Sequence, residues 1–189
     1  MAPTKIMLIR HAEKPDKDAG GQVSGVDENG AEDNAELAVS GWQRAGALAR
    51  FFAPVADRPK GTIIENPNRL FAAGPNAKDP SKRAVHTLAP LSGIGGVEIV
   101  TKFGVGDEPA LAAAIFEQVG VVLAAWEHKN IKHVVEALTN RAVKSPHWPG
   151  DRFDMVLVLT PSPAWSLRQV PQLLLPGDRS DPMPETGED

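Results

Sequence analysis

Arg10 and His11 stand side by side at the end of the apolar run Ile6-Met7-Leu8-Ile9, in the segment LIRHAEKP. A second arginine, Arg83, lies in SKRAVHTLAPL, and a second histidine, His128, in WEHKNI. These residue types suit phosphoryl chemistry. A guanidinium is a planar fork of fixed donors that matches phosphate oxygens, so two of them bind a dianion well. An imidazole titrates at about 6.5, so it is available as a neutral nucleophile near pH 7, and it can attack phosphorus to form a phosphohistidine. A second histidine can donate to the charge that develops on the group in transfer. If the arginines neutralise the phosphoryl oxygens, the reaction needs no metal and no other cofactor.

The elements that must position these groups are legible as patterns. Five apolar runs predict buried strands at 5–9, 69–73, 97–101, 119–125 and 153–160. Several are continuously apolar, as parallel strands covered on both faces are. Ser40-Gly41-Trp42-Gln43 fits a capping box, with Trp42, Ala45, Ala49 and Phe52 following on one helical face. Asp79-Pro80 reads as a cap followed by proline at the first helical position, which puts Arg83 one turn into that helix. Leu111, Ile115 and Val119 suggest a weaker helix. Ile131, Val134, Val135 and Leu138 form a stripe after an Asn130 cap. The alternation predicts a three-layer α/β fold, with a mostly parallel central sheet and helices on both faces. In such sheets ligands bind outside the carboxyl ends of the strands. His11 follows the first strand, Arg83 follows the second, and His128 follows the fourth. Three distant segments thereby meet at one sheet edge.

The rest of the chain narrows the possibilities. Its 189 residues suit one domain, predicted over 1–176, with a flexible polar tail at 177–189. Segment 165–175 reads as an edge strand, because Pro171 cannot donate to a central ladder. The net charge of −4 gives no support for nucleic acid or an acidic membrane surface as a partner. Without cysteine there is no disulfide, no thiolate zinc site and no thiol nucleophile. No apolar run approaches the roughly 20 residues of a membrane span, and nothing resembles a signal peptide, so a cytoplasmic location is expected. Residues 12–36 form an acidic loop, with eight Asp/Glu against two Lys. Because it follows the Arg10-His11 pair, its charge would disfavour highly anionic substrates.

LIRHAEKP resembles the R-H-G/A-E signature of the histidine phosphatases, the phosphoglycerate-mutase-like superfamily. LAVSGWQRAGALARF is similar to that family's L-(T/S)-x-x-G-x-x-(R/Q)-A helix, and SKRAVHTLAPL to its R-A-x-x-T segment. The resemblance runs in the right order from about residue 5 to 160. It implies that His11 is the nucleophile, that Arg10 and Arg83 clamp the phosphate, and that His128 is the second pocket histidine. It further implies a phosphomonoester hydrolase acting on a small phosphate ester or a phosphoprotein. Where the family has H-G or H-D, this chain has Glu127-His128-Lys129-Asn130, which removes the H-D acid. Asp107 and Glu108 occupy about the place of the mutase-like acid, and Glu13 and Glu127 are rivals for the role. The choice among the four stays open at this level.

Three other functions share the same residues. A phosphoglycerate-type mutase is one, although the span between Arg83 and His128 is short for that branch. A phosphohistidine-protein phosphatase is the second. The third is a catalytically silent phosphate-binding protein. His86, one turn after Arg83, reads as a packing residue, and His133 and His147 as surface residues. Pro146-His147-Trp148-Pro149 reads as a packed turn. Asp16, Lys17, Asp18, Gly21 and Asp27 only superficially match a calcium loop, with a glycine at its fifth position and no helical flanks. The glycines of Leu91-Ser-Gly-Ile-Gly-Gly follow a helix instead of opening one, so they form a helix stop.

Overall fold

The computed structural model describes residues 2–15, 24–56 and 61–186. Among these described residues six strands and four helices follow one another as β1 (Pro3–Arg10), α1 (Val39–Phe52), β2 (Arg69–Ala72), α2 (Arg83–Gly95), β3 (Ile99–Val100), α3 (Glu108–Phe116), β4 (Gly120–Trp126), α4 (His128–Thr139), β5 (Met155–Thr160) and β6 (Ser166–Pro171). The strands form one sheet in the order β3-β2-β4-β1-β5-β6. The first four positions in that order pair in parallel, whereas β5 and β6 pair antiparallel. The expected mostly parallel α/β sheet is therefore present, with an antiparallel flank.

Connection direction explains the layers. The chain moves one way across the sheet through α1 and α2, and the other way through α3 and α4. Right-handed crossovers then place α1 and α2 on one face and α3 on the other; α1 packs on α2, and α4, which joins the oppositely running β4 and β5, packs on α3. The central strands are apolar throughout because both faces are covered. Ile6–Ile9, Val122–Trp126 and Met155–Leu159 are all buried.

The register of β1 on β4 matters most for the site. Ile6 pairs with Val122, and the match continues to Arg10 opposite Trp126. The His11 amide then donates to the Trp126 carbonyl at 3.0 Å, which carries the ladder one residue further. His11 therefore emerges beside Glu127 and His128, where α4 begins.

Several boundaries differ from the sequence patterns. Helix α1 starts at Val39 with Ala38 at its N-cap and no side-chain cap, so Ser40 is not the cap. Asp79 does not open α2. Its carboxylate accepts from the Ser81 amide in a turn, the helix starts at Arg83, and Arg83 is its first residue. The cap of α4 is Glu127 and not Asn130, whose amide groups both donate to the Glu127 carboxylate. Strand β3 has only two residues, and Val119 is exposed beyond the end of α3. Helix α2 does end as expected, at Gly96 in the left-handed region with φ 61°. β6 is the expected edge strand.

Residues 177–186, where a loose tail is expected, make specific contacts. Met183 is buried, its amide donates to Gln169 Oε1, and Asp178 pairs with Arg44. Trp148 is buried with its indole donating to the Arg152 carbonyl, so the 146–149 segment is a packed turn. No helix among the described residues is long and apolar enough to cross a membrane. Asp16, Lys17, Asp18 and Gly21, the core of the calcium-loop look-alike, lie outside the described residues.

Candidate active site

Arg10 is the last residue of β1 and only 1% exposed. One of its terminal nitrogens, Nη1, donates to the carbonyls of Gly150 and Arg152, each at 2.8 Å. Its guanidinium carbon lies 3.8 Å from the centroid of the Phe153 ring. One end and one face of the fork are thus occupied. The other edge, Nε and Nη2, is buried and has no hydrogen-bond partner. Buried donors without acceptors are costly and rare, and they commonly mark a place where a ligand or water supplies the acceptor. Nε and Nη2 are also the pair that grips two oxygens of one oxyanion. Burial lowers the Arg10 pKa to about 10, and the carboxylates Glu127, Glu13 and Asp151 partly offset that effect. The side chain is still a cation at pH 7.

His11 is 5% exposed. Its Nδ1 lies 2.7 Å from the Ala12 carbonyl oxygen. A carbonyl only accepts, so Nδ1 carries the hydrogen and Nε2 keeps its lone pair. Burial first, and then the Arg10 charge, lowers the His11 pKa to about 3. Arg83 and His128 act on it in the same direction. The other three sequence-predicted residues are thereby close enough to influence this imidazole, which stays neutral throughout the physiological range.

Arg83 reaches the site from the first turn of α2. Its Nε donates to the Glu36 carbonyl and its Nη2 to the Asn34 carbonyl, at 3.1 and 2.6 Å. Burial lowers its pKa from the ordinary value. Thr87, one turn along, ties this helix to the segment that follows β1. Its Oγ1 accepts from the Ala12 amide at 2.8 Å and donates to the Arg83 carbonyl at 2.6 Å. The threonine of the R-A-x-x-T pattern therefore connects the backbone of Arg83 to that of Ala12, the neighbour of His11.

His128 is the first residue of α4, where helix amides favour negative charge. Its Nδ1 lies 2.6 Å from Glu127 Oε1. Burial raises the Glu127 carboxyl, but His128 and the helix amides outweigh it and hold the group at about 2. Glu127 is consequently a fixed carboxylate and the helix cap. This removes it from the candidates for proton donor.

The other carboxylates differ in their surroundings. Asp107 is exposed and accepts from the Gly104 amide. Glu108 is buried, and its Oε1 accepts from the Gly106 amide and the Trp126 indole. Glu13 Oε1 accepts two bonds from Arg44, at 2.7 and 2.9 Å, while its Oε2 is buried without a partner. Helix α1 approaches here so closely that a Cβ at Gly41 would collide with the Glu13 carbonyl oxygen. Gly41 and Arg44 belong to the second motif of the sequence, and both serve to hold Glu13.

His86 is tied to structure. Its Nδ1 lies 2.6 Å from Glu36 Oε2, and its ring stacks on Trp42. Glu28, Glu36 and His86 offer ligand atoms within 4.8 Å of one another. Glu36 is already partnered there by His86 and by Lys82, whose pKa the Glu36 contact raises. His133 is exposed beside Glu136, and the His147 amide donates to the Pro184 carbonyl. Sequence reasoning missed Thr87, Arg44, Phe153 and the 149–152 carbonyls. The first two lie inside the quoted motifs, while backbone carbonyls carry no residue-type signature.

No family model matches the chain, and no curated protein matches it. Among solved structures the chain is similar to the candidate phosphohistidine phosphatase SixA from Agrobacterium tumefaciens, at 19% identity over 87% of this chain and 96% of that one, with a TM-score of 0.49. It is also similar to a phosphoglycerate mutase from Plasmodium falciparum, at 11% identity over 97% of this chain and 99% of that one, with a TM-score of 0.49.

Proposed function

We propose that this protein is a metal-independent phosphomonoester hydrolase that works through a phosphohistidine at His11. The observation that carries the reading is the pairing of two unfinished valences in one buried place. Arg10 has a free two-donor edge, and His11 has its hydrogen fixed on Nδ1, leaving Nε2 as the nucleophile. The substrate phosphate accepts from Arg10 Nε and Nη2 and from Arg83. His11 Nε2 attacks phosphorus, and the P–O bond to the leaving group breaks, its electron pair passing to the leaving oxygen, which takes a proton from a carboxylic acid. His128 and the first amides of α4 stabilise the phosphoryl oxygens as charge builds on them. Water then attacks phosphorus, the P–N bond breaks, and its electron pair returns to Nε2.

His11 needs no neighbouring base for its attack, because it is already neutral. The two arginines offset the charge of the dianion, which is the job a divalent cation performs in metal-dependent phosphatases.

The test uses purified wild type and His11→Ala with p-nitrophenyl phosphate and EDTA, between pH 4 and 8. Wild type should turn over the ester and carry acid-labile phosphate, and His11→Ala should do neither. Wild-type protein with no turnover and no label at any pH would overturn the reading.

A further inference from the structure

We infer that Glu13 is the base that activates water in the second half of the reaction, through its Oε2 atom. The inference rests on the phosphohistidine reading and adds a catalytic residue to it. Glu13 lies two residues after His11 and acts on the charge of Arg10. Its two carboxylate oxygens have opposite circumstances. Oε1 takes both donors from Arg44, whereas Oε2 is buried and takes none. A carboxylate with one oxygen saturated and the other unfilled is oriented, with one acceptor left for a proton.

The support around Glu13 is extensive. Arg44 is itself held by Asp178 at 2.6 and 3.1 Å and by Gln172 at 2.9 Å. Asp178 in turn accepts from the Leu174 and Leu175 amides. The Glu13 carbonyl accepts from the Ala38 amide, and Gly41 packs against the same peptide. Backbone and side chain are thus both fixed, as a group that must meet a water at a set angle requires. A cavity of about 340 Å³ opens beside it, lined also by Arg44, Phe153 and Asp178. It leaves part of the Glu13 side chain in contact with solvent, where the proton can depart.

Rival carboxylates are otherwise engaged. Glu127 is engaged at both oxygens, Oε1 by His128 and Oε2 by the Asn130 amide groups, and it caps α4, while neither Asp107 nor Glu108 is among the groups that act on the charge of Arg10 or His11. In the proposed step water oxygen attacks the phosphorus of phosphohistidine. The P–N bond breaks with its electrons returning to His11 Nε2. The water proton passes to Glu13 Oε2, and leaves for solvent before the next turnover.

The experiment is rapid-quench kinetics on wild type, Glu13→Gln and Glu13→Asp with p-nitrophenyl phosphate, whose leaving group needs little acid help. In Glu13→Gln a burst near one nitrophenolate per site should survive, while steady turnover falls about a hundredfold. Phosphohistidine should accumulate well above its wild-type level. Glu13→Asp should recover part of the turnover. A merely structural role would lower the burst and the phosphoenzyme together, and that result overturns the inference, as does unchanged turnover. If Glu13→Gln does not fold, Glu13→Asp must itself accumulate excess phosphohistidine, and normal levels would refute the inference. A wild type with neither burst nor label defeats the hydrolase reading instead.

Discussion

The parallel half of the sheet, β3-β2-β4-β1, and the antiparallel flank, β5-β6, contribute different things to one site. The parallel half supplies the reactive side chains. Arg10 ends β1, His11 follows it, and Arg83 and His128 each open a helix behind a parallel strand. The flank supplies only restraint: the carbonyls of Gly150 and Arg152, the ring of Phe153, and the arm that carries Asp178. Strand ends are good places to expose reactive groups, because the ladder fixes the backbone up to the last pair and then releases it. They are poor places to orient a long side chain. Arg10 is oriented because a second, oppositely running strand begins just where β1 ends. Its loop turns carbonyls inward, and each of these takes a donor that would otherwise be free.

The two arginines offer the sharpest way to probe this division. Arg10 is anchored by the flank and wholly buried, whereas Arg83 is half-buried and held by the loop at 34–36. Lysine cannot both hold the 150 and 152 carbonyls and present a two-donor edge. Arg10→Lys should therefore lower kcat/KM for an aryl phosphate by a hundredfold or more, within the range for losing a preorganised donor. Arg83→Lys should cost about tenfold, as for a more exposed charged hydrogen bond. Equal losses would show that the flank adds nothing to orientation. Phe153→Leu removes the stacking but keeps the volume and the carbonyl ties. It should cost about threefold to tenfold in kcat/KM, the scale of one cation–π contact, with little change in melting temperature.

Acid stability probes the burial of His11 independently of turnover. The native pKa of His11, about 3, lies below its ordinary 6.5, so the unfolded chain binds the extra proton between those values. The stability tied to this group is complete above about pH 6.5 and declines as pH falls toward 3. Glu127, held at about 2 against an ordinary 4.5, acts in the same direction, in the window below 4.5. Between pH 6.5 and 4.5, denaturant unfolding should therefore show a His11-dependent slope of at most about 1.4 kcal/mol per pH unit. His11→Asn should flatten that part of the slope, and an unchanged slope would show that His11 is not held neutral.

The strands were the most legible feature of the sequence. Ile6–Ile9 and Val122–Ala125 are apolar on both faces because both faces are covered, and that requirement is written directly in residue type. Helix starts were read less well, and the misreadings share a cause. Ser40, Asp79 and Asn130 are all good caps in isolation. At Ser40 the helix is drawn back by the close packing of Gly41 on Glu13. At Asp79 the carboxylate closes a turn onto Ser81. At Asn130 a stronger acceptor, Glu127, stands three residues earlier and takes the position. Capping is a local contest worth about 1 kcal/mol, so tertiary contacts readily decide it. The order of the last two strands had no local signature either, since an apolar run does not state its direction.

By itself, the sequence determined which chemistry is available. Two arginines and two histidines follow buried strands in an alternating α/β pattern, and hydrophobic periodicity is enough to bring such residues to one edge. Only the tertiary structure decided which atoms of those residues are free to react. The edge of Arg10 that is occupied is set by carbonyls about 140 residues away in the chain. The free oxygen of Glu13 is set by Arg44 and, through it, by Asp178 in the C-terminal segment. Burial is a property of residue type and can be read along the chain. The pairing of individual donors and acceptors is a property of position in space, and no local pattern encodes it.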